Sequence, residues 1–433
     1  MTVPDGGGSD ERPGIAPDEI LARLRSSATD WAERGRLGSL SRWMDRELDP
    51  DGVPFRLDAG AWAEGLSVLL TAAVAHPQGW PERLDALAEG WFRAFLRFSR
   101  PDNSTVFGPR RASARDGRPQ LCRAWAERLS DPGLATVVDW WFPGRREGRH
   151  APPPLPADAR PDRVLAILRA NWARDGDLVA LDHRAARVQT RFELLGAGQS
   201  WLGPTWGDEP SAERAGRAKP TLWVSHGSAD VAEWTFRVGR ARVSRTAVLL
   251  RGRRLALLAE QWDGPGDPGA LRLGLAVGVE AVPIPDAGSR GLLLSLRKGR
   301  STARVLPIGL PTLAEPGGRG TLDRQGNEIV LSQAAGDGEK RVWRVLLVSW
   351  DARRNRLPVR WRSLTVSESS RPCPRDVAFG VRVAWGRDES LLIYRSLAKP
   401  ALRALLGHQT RARFLVGLFT RDGEVEPLIR VEE

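Results

Sequence analysis

The stretch SHGSADVAEWTFRVGRARVSRTAVLLRGRRLALLAEQWDG, residues 225–264, decides the fold of this chain. Apolar and β-branched runs in it are separated by short Gly and Arg turns, with strand candidates at 233–238, 244–250 and 254–261. Similar runs recur at intervals of about ten residues from Asp177 to the C-terminus. Short strands joined by short turns pack sheet on sheet rather than as βαβ units, so the pattern predicts a large antiparallel β-sandwich region.

The N-terminal third has helical spacing instead. Leu66, Leu69, Leu70 and Val74, for example, recur at the intervals that place them on one helix face. Turn signals separate such segments, and short connections favour antiparallel helix pairs. The expected helices cover residues 17–35, 60–75, 81–99, 118–129 and 132–141. The predicted fold class is therefore α+β and multidomain, an antiparallel helical domain followed by the β-sandwich region.

The expected domain boundaries follow from composition. Residues 1–15, rich in Gly and Asp, form a disordered lead-in, and residues 16–142 form the helical domain. Residues 143–160 contain PPPLP and form an extended linker, because Pro neither continues a helix nor donates to a β-ladder. The β-sandwich region then spans 161–433 and is expected to open with a short helix at 160–175.

The formal charge of +12 does not by itself indicate a nucleic-acid-binding protein. Only four of the 65 basic residues are Lys, and the Arg residues interleave with Asp and Glu along the chain. No run resembles the basic arm that phosphate binding favours. Excess Arg suits an acidic glycan as well as it suits a nucleic acid, and the interleaved pattern argues against the latter.

Other classes are excluded by what the sequence lacks. Its two cysteines, Cys122 and Cys373, lie far apart and outside any zinc-type spacing, which argues against a disulfide framework or structural zinc. No apolar run approaches the length of about 20 residues that a membrane span needs, and residues 1–12 lack the features of a signal peptide. We therefore expect a cytoplasmic location, no membrane association and no cofactor. Walker-type, GxSxG and HExxH motifs are absent, and no dinucleotide fingerprint occurs in a strand–turn–helix context.

Three residues near the C-terminus are candidates for acid–base chemistry. Tyr394 is the only Tyr of the chain, Arg395 follows it, and His408 lies fourteen residues after the Tyr. A Tyr/His pair beside Arg suits proton abstraction next to a carboxylate, because the Arg neutralises the developing charge. The alternative is that Tyr394 packs its ring in the core and hydrogen-bonds its hydroxyl locally.

Two further pairs are candidates for ligand binding. His226 and Asp230 flank a Gly turn and are weak metal-ligand candidates, although two donors do not complete a zinc site and turn chemistry explains them equally well. Trp201 and Trp206 lie in a Gly/Pro-rich stretch, which favours indoles that face a ligand such as a sugar, whereas most of the 18 Trp should fill core.

The order of a helical and then a β-rich region, together with residues 225–264, resembles the heparinase II/III-like polysaccharide lyases. In that family a motif like His-Gly-His-Ala-Asp leads into the strands, and the matching positions are His226, Gly227, Ser228, Ala229 and Asp230. The resemblance implies a helical toroid, here incomplete, and β-elimination of uronic-acid polysaccharides by a Tyr/His pair. Ser228 replaces the second His of the motif, and the helical region contains no Tyr.

The leading functional hypothesis is a heparinase II/III-like protein that binds or processes an acidic polysaccharide, with lyase activity degenerate or absent. The alternative is a non-catalytic structural or protein-interaction β-sandwich protein. Substrate, activity and oligomeric state stay open at this level.

Overall fold

A computed structural model describes residues 17–54, 57, 59–100, 102, 104–108, 117–129, 131–142, 151–160, 165–183, 190–207, 216, 218–284, 290–297, 299–311, 320–336, 338–387, 389–420 and 422–432. The chain divides into two compact units, Met1–Pro152 and Pro153–Glu433, which we call the helical unit and the β unit. The predicted lead-in and residues 143–150 of the predicted linker lie outside the described residues.

The helical unit has the helices that the apolar spacing predicts and one more. Its core is rich in Trp, and the ring centroids of Trp43 and Trp91 are stacked 6.2 Å apart. The additional helix carries buried residues at i, i+3, i+4 and i+7, a pattern too short to stand out in the sequence. The helices are α1 Pro17–Arg34, α2 Leu37–Glu47, α3 Trp62–Ala75, α4 Glu82–Arg97, α5 Arg118–Arg128 and α6 Pro132–Trp141. None of those described combines the length and apolar character that a membrane crossing requires.

The β unit consists of antiparallel strands, which form four sheets within the described ranges. The first sheet contains β1 Asp158–Arg160, β2 Leu165–Arg169, β3 Leu178–Asp182, β4 Thr190–Gly196, β5 Gln199–Trp206, β10 Ala270–Leu275, β14 Gly320–Gln325 and β15 Glu328–Gln333. The second contains β6 Lys219–His226, β7 Ala229–Val238, β8 Ala241–Leu250, β9 Leu255–Asp263, β11 Val279–Pro283, β12 Leu292–Leu296, β13 Thr302–Leu306 and β16 Arg341–Ser349.

The third and fourth sheets are built from the last 80 residues. The third contains β17 Val359–Leu364, β20 Ala378–Trp385, β21 Glu389–Ser396, β24 Phe414–Phe419 and β25 Val425–Val431. The fourth contains β18 Ser367–Glu368, β19 Arg371–Pro372, β22 Arg403–Leu405 and β23 His408–Thr410. The α+β architecture predicted from the sequence is confirmed.

The central strands of the second sheet, β8, β9 and β16, are largely buried on both faces. Leu258 and Leu346 belong to one core, shared with the first sheet, whereas their neighbours Leu257 and Val345 belong to another, shared with the third sheet. Successive side chains of a strand point to opposite faces, so a central layer needs apolar residues at nearly every position. This explains the continuous apolar runs at 247–250 in β8, 255–259 in β9 and 345–348 in β16, which do not alternate with polar residues.

The prediction of a short helix at 160–175 is wrong. Leu165–Arg169 is strand β2, buried at all five positions and paired with β1 and β3. A short apolar run has no periodicity that distinguishes helix from strand, so its strand partners decide the outcome. Strand β1 begins at Asp158, and the last residues of the predicted linker therefore belong to a sheet.

A buried polar network connects the first and second sheets through His183. The Thr190 hydroxyl lies 2.8 Å from His183 Nδ1 and accepts a 2.7 Å hydrogen bond from Arg245 Nη1. Arg245 Nε and Arg344 Nη2 donate to the two carboxylate oxygens of Glu260, at 2.9 and 2.6 Å. The Thr190 hydroxyl can both donate and accept, so it links the His183 ring to Arg245 whichever ring nitrogen carries the proton. Burial, with the charge of Arg245, lowers the pKa of His183 to about 3.

His183 should make the stability of the β unit depend on pH. Its pKa is lower in the folded state, so the unfolded chain takes up a proton below pH 6.5 while the folded chain does not. The contribution of His183 to the free energy of unfolding is complete above pH 6.5 and is lost as the pH falls towards 3. Between pH 7.5 and 5.5 the free energy of unfolding should fall by about 1.4 kcal/mol from this group. Urea unfolding followed by Trp fluorescence measures it.

His183→Gln should remove this part of the pH dependence, because an amide does not titrate. The matched control is His226→Gln, which removes an exposed ring and leaves His183 and its partners in place. An unchanged slope in His183→Gln would contradict the assignment.

Candidate functional site

The hairpin that carries the His226 to Asp230 motif is held by an internal ion pair. Asp230 is fully buried and receives a two-point interaction from Arg251, with Nη2–Oδ1 2.6 Å and Nε–Oδ2 3.1 Å. The Ser225 hydroxyl donates to the same carboxylate at 2.7 Å. Burial raises the pKa of Asp230, while the bonds to Arg251 and Ser225 oppose that rise. The ion pair and hydroxyl thus saturate this carboxylate with protein donors.

The metal-ligand prediction for His226 and Asp230 therefore has no support from the geometry. His226 lies at the exposed end of β6, opposite Ala229, while Asp230 faces inward to Arg251. Across the part of the chain that the structure describes, no three His, Cys, Asp or Glu side chains converge to hold a metal. The motif positions act as the turn and first residues of the β6–β7 hairpin.

Trp201 and Trp206 are core residues, and the prediction that they face a ligand is wrong. Both indoles are at most 1% exposed, and both belong to the core between the first and second sheets. Trp206 contacts Phe192 edge to face, with centroids 5.4 Å apart, and Trp201 Nε1 donates to the Gly196 carbonyl. The Gly/Pro-rich stretch that suggested a loop is strand β5, and burial follows from its place within the sheet.

The Tyr394, Arg395 and His408 constellation is not assembled. Tyr394 and Arg395 are consecutive in strand β21, so their side chains leave opposite faces of the third sheet. The Tyr394 ring is fully buried in the core that lies against the fourth sheet, and its hydroxyl accepts from Arg403 Nη1 at 3.2 Å. His408 belongs to β23 of the fourth sheet, whereas Arg395 faces a cavity beside the second sheet.

That cavity, of about 500 Å³, is strongly basic, and we call it the basic pocket. Its charged lining comes from two sheets and the loop that follows β21. Five cations and two carboxylates line it: Arg242, Arg341, Arg395, Lys399 and Arg413, with Asp263 and Glu432. Both carboxylates already have partners, because Asp263 pairs with Arg341 at 3.2 Å and Glu432 with Arg430 at 2.6 Å. The pocket therefore presents positive charge to whatever enters it.

Beneath the pocket, the buried carboxylate of Glu233 holds two of its arginines. Glu233 Oε2 pairs with Arg395 Nη2 at 2.7 Å, and Oε1 pairs with Arg413. The hydroxyls of Thr246 and Thr221 donate to the same carboxylate at 2.7 and 3.1 Å. Burial alone would raise the pKa of Glu233, but the two guanidinium groups outweigh it and lower the pKa below its usual value. Glu233 stays ionised and fixes both arginines.

Two nitrogen donors of Arg395 are available to a ligand. Its side chain is 4% exposed, yet Nε and Nη1 find no hydrogen-bond partner among the described residues. Burial lowers the pKa of Arg395, the ion pair with Glu233 raises it, and the nearby charges of Arg413 and Arg242 lower it further. Arg242 has no ion pair within the described ranges and lies on the exposed side of β8. Unpartnered buried donors beside uncompensated cations are the arrangement that an anionic ligand satisfies.

The loop from Ser396 to Pro400, which forms one wall of the pocket, is supported from behind by Arg403. Arg403 Nη1 donates to the Ser396 hydroxyl at 2.6 Å, and Nη2 donates to the Lys399 carbonyl at 2.9 Å. The hydroxyl of Tyr394 accepts from the same guanidinium. The unique Tyr thus contributes to the shape of the pocket wall without reaching the pocket.

Sequence reasoning found Arg395 but missed Glu233, Arg242 and Arg413. One signal for Glu233 was present, since it interrupts the apolar run of β7 at a position where a charge is buried only with a partner. Its partners Arg395 and Arg413 lie 162 and 180 positions further along the chain. No local pattern identifies them.

Helical and β units in this order define a two-part α+β protein, and solved structures share its fold. The heparan sulfate lyase HepC from Pedobacter heparinus is similar over 90% of this chain and 67% of its own, with TM-score 0.63 and 14% identity. Two heparinase III structures give TM-scores of 0.61 and 0.59 at 13% and 10% identity, over 90% and 89% of this chain and 66% and 68% of theirs. The chain thus spans about two thirds of the length of these lyases.

No protein-family model matches the sequence, and no curated protein matches it. At such low identity the likeness to the heparinase structures establishes the fold alone.

Replacing Glu233 should strongly destabilise the β unit. Glu233→Gln leaves the buried Arg395 without its counter-charge, and breaking a buried pair in this way costs about 3–5 kcal/mol of unfolding free energy. Glu328→Gln is the matched control, because its ion pair with Arg272 is partly exposed and should contribute less than about 1 kcal/mol. Urea unfolding measures both, and equal losses would contradict the role of Glu233.

Tyr394→Phe should have a small effect. The substitution removes one hydroxyl that accepts from Arg403, whose other partners remain, so the loss should be about 1 kcal/mol. The same unfolding experiment measures it. A loss as large as that of Glu233→Gln would mean that the Tyr394 hydroxyl organises the loop more strongly than its single hydrogen bond indicates.

Proposed function

We propose that this protein binds an acidic polysaccharide through the basic pocket of its β unit, with lyase activity degenerate or absent. The observation that carries the proposal is Arg395, a buried guanidinium whose Nε and Nη1 have no partner among the described residues, at a cavity whose described carboxylates are already paired. Guanidinium groups bind carboxylate and sulfate oxygens through directed, charge-assisted hydrogen bonds. Acidic saccharides carry such groups at regular intervals along the chain.

The volume and exposure of the pocket suit a saccharide unit rather than a bare ion. About 500 Å³ lies within the range of ligand-binding clefts. Arg395 and Arg413 are fixed from below by Glu233, so little side-chain entropy is lost when an anion binds to them. Arg242 and Lys399 at the exposed edge add attraction that weakens as salt increases.

The absence of a Tyr or His in the described lining of this pocket supports the non-catalytic part of the proposal. Proton abstraction by a Tyr/His pair requires both groups within hydrogen-bond reach of the substrate. Tyr394, the only phenol of the chain, is buried against the fourth sheet. Fold similarity to heparinase III structures supports a polysaccharide as the class of ligand, and the pocket supports its acidic character.

Binding should depend on Arg242 and Arg413. In titration calorimetry of the full chain with heparan sulfate oligosaccharides, Arg242→Gln and Arg413→Gln should each weaken binding by at least about ten-fold, since a charged hydrogen bond contributes about 1.5–3 kcal/mol. Arg297→Gln is the matched control, because that residue is 70% exposed and lies outside the pocket lining. Affinity should fall as salt rises, and neutral dextran should not bind.

The competing outcomes are distinct. Equal affinity in all three variants would remove the basic pocket as the binding site, and no binding to any acidic polysaccharide would favour a structural or protein-interaction role. Release of unsaturated uronate products, followed by absorbance, should be undetectable. Product formation that Tyr394→Phe leaves intact would overturn the non-catalytic part of the proposal and place catalysis elsewhere.

A further inference from the structure

A second cavity, of about 330 Å³, lies between helices α1 and α2 of the helical unit. Its α1 side is formed by Arg23, Ser26 and Ser27, at i, i+3 and i+4. Its α2 side is formed by four residues at i, i+3, i+4 and i+7, namely Ser39, Arg42, Trp43 and Arg46. Residues at these spacings share one helix face, so one face of α1 and one face of α2 line the same cavity.

The base of this cavity is rigid. Trp43 is 2% exposed, and its indole nitrogen donates to the Ile20 carbonyl of α1 at 3.3 Å, while its ring stacks on Trp91. Both helices are therefore fixed by core contacts below the polar rim. The Arg and Ser residues that line the cavity therefore belong to helices that are packed into the core, and not to a loop.

The rim has donors and positive charge, and none of the described residues that line it is a carboxylate. Arg23 pairs with Glu19 at 2.6 Å and Arg46 with Glu47 at 2.9 Å, both along their own helices. Arg42 has neither an ion pair nor a hydrogen bond in the described ranges of the chain. The Ser39 hydroxyl oxygen is buried and has no hydrogen-bond partner among the described residues. An unsatisfied hydroxyl beside an uncompensated guanidinium is a pair of groups that one oxyanion satisfies together.

We propose that this cavity binds a tetrahedral oxyanion, a sulfate or phosphate group, between Arg42 and the Ser39 hydroxyl. Ser39 and Arg42 lie three positions apart on one face of α2, and their hydroxyl and guanidinium donors suit the several acceptor oxygens of such a group. The cavity is open, which leaves room for the molecule to which an ester is attached. The site is independent of the basic pocket, because all of its residues belong to the helical unit.

The test is titration calorimetry of the full chain with sodium sulfate and with sodium phosphate, at ionic strength held constant with chloride. Saturable binding of either anion is expected. Arg42→Gln should weaken it at least about ten-fold and Ser39→Ala about five-fold, as expected for the loss of a charged and of a neutral hydrogen bond. Arg34→Gln is the matched control on α1, since its side chain is 59% exposed and it lies outside this cavity.

Two further experiments identify the source of the anion and distinguish this cavity from the basic pocket. Displacement of bound sulfate by a sulfated disaccharide would indicate a saccharide ester, whereas preference for phosphate with no displacement would indicate a free or phosphate-borne group. Arg242→Gln and Arg413→Gln should leave the affinity of this cavity unchanged. No saturable heat above the chloride background, or wild-type affinity in Arg42→Gln, would overturn the proposal. Circular dichroism of the variants checks that the helices are intact.

Discussion

The buried carboxylate of Glu233 is the interaction on which the candidate binding site depends. It lies in β7 of the second sheet and pairs with Arg395 in β21 and with Arg413 next to β24, both in the third sheet. Two guanidinium groups buried or half-buried between sheets would be strongly destabilising without a counter-charge. Glu233 therefore makes possible both the contact between these sheets and a pocket that keeps positive charge at a fixed position.

The central position of the second sheet imposes a related constraint. A layer covered on both faces excludes water from its strands, so each polar group in it needs a protein partner. The network of His183, Thr190, Arg245 and Glu260 meets that need on the side of the first sheet, and the Glu233 cluster meets it on the side of the third. The former is buried and lines neither of the two cavities described above, although His183 Nε2 also has no hydrogen-bond partner among the described residues. The latter leaves the Nε and Nη1 donors of Arg395 without a partner in the described part of the chain and at the lining of the basic pocket, which is why we assign function there.

The likeness to heparinase III structures informs on the fold of this chain, whereas the arrangement of its own side chains informs on its chemistry. The fold is shared with polysaccharide lyases over about nine tenths of this chain. The candidates Tyr394 and His408 are not brought together, because Tyr394 supports a loop through Arg403 while His408 lies in the fourth sheet. Fold is conserved by packing over many positions, while activity depends on a few side chains, so the first can persist without the second.

The sequence by itself determined the α+β order, five of the helices and most strands, because these follow from local periodicity. It also identified Arg395 by its charge. The strand at Leu165–Arg169, the burial of Trp201 and Trp206 and the opposite orientations of Tyr394 and Arg395 were decided by the tertiary structure. Composition does not reveal which neighbour covers a strand, and pairs such as Glu233 with Arg413 join residues 180 positions apart. Packing of the second sheet on the third brings such residues together, so the sequence shows Arg395 as a charged candidate but not the site to which it belongs.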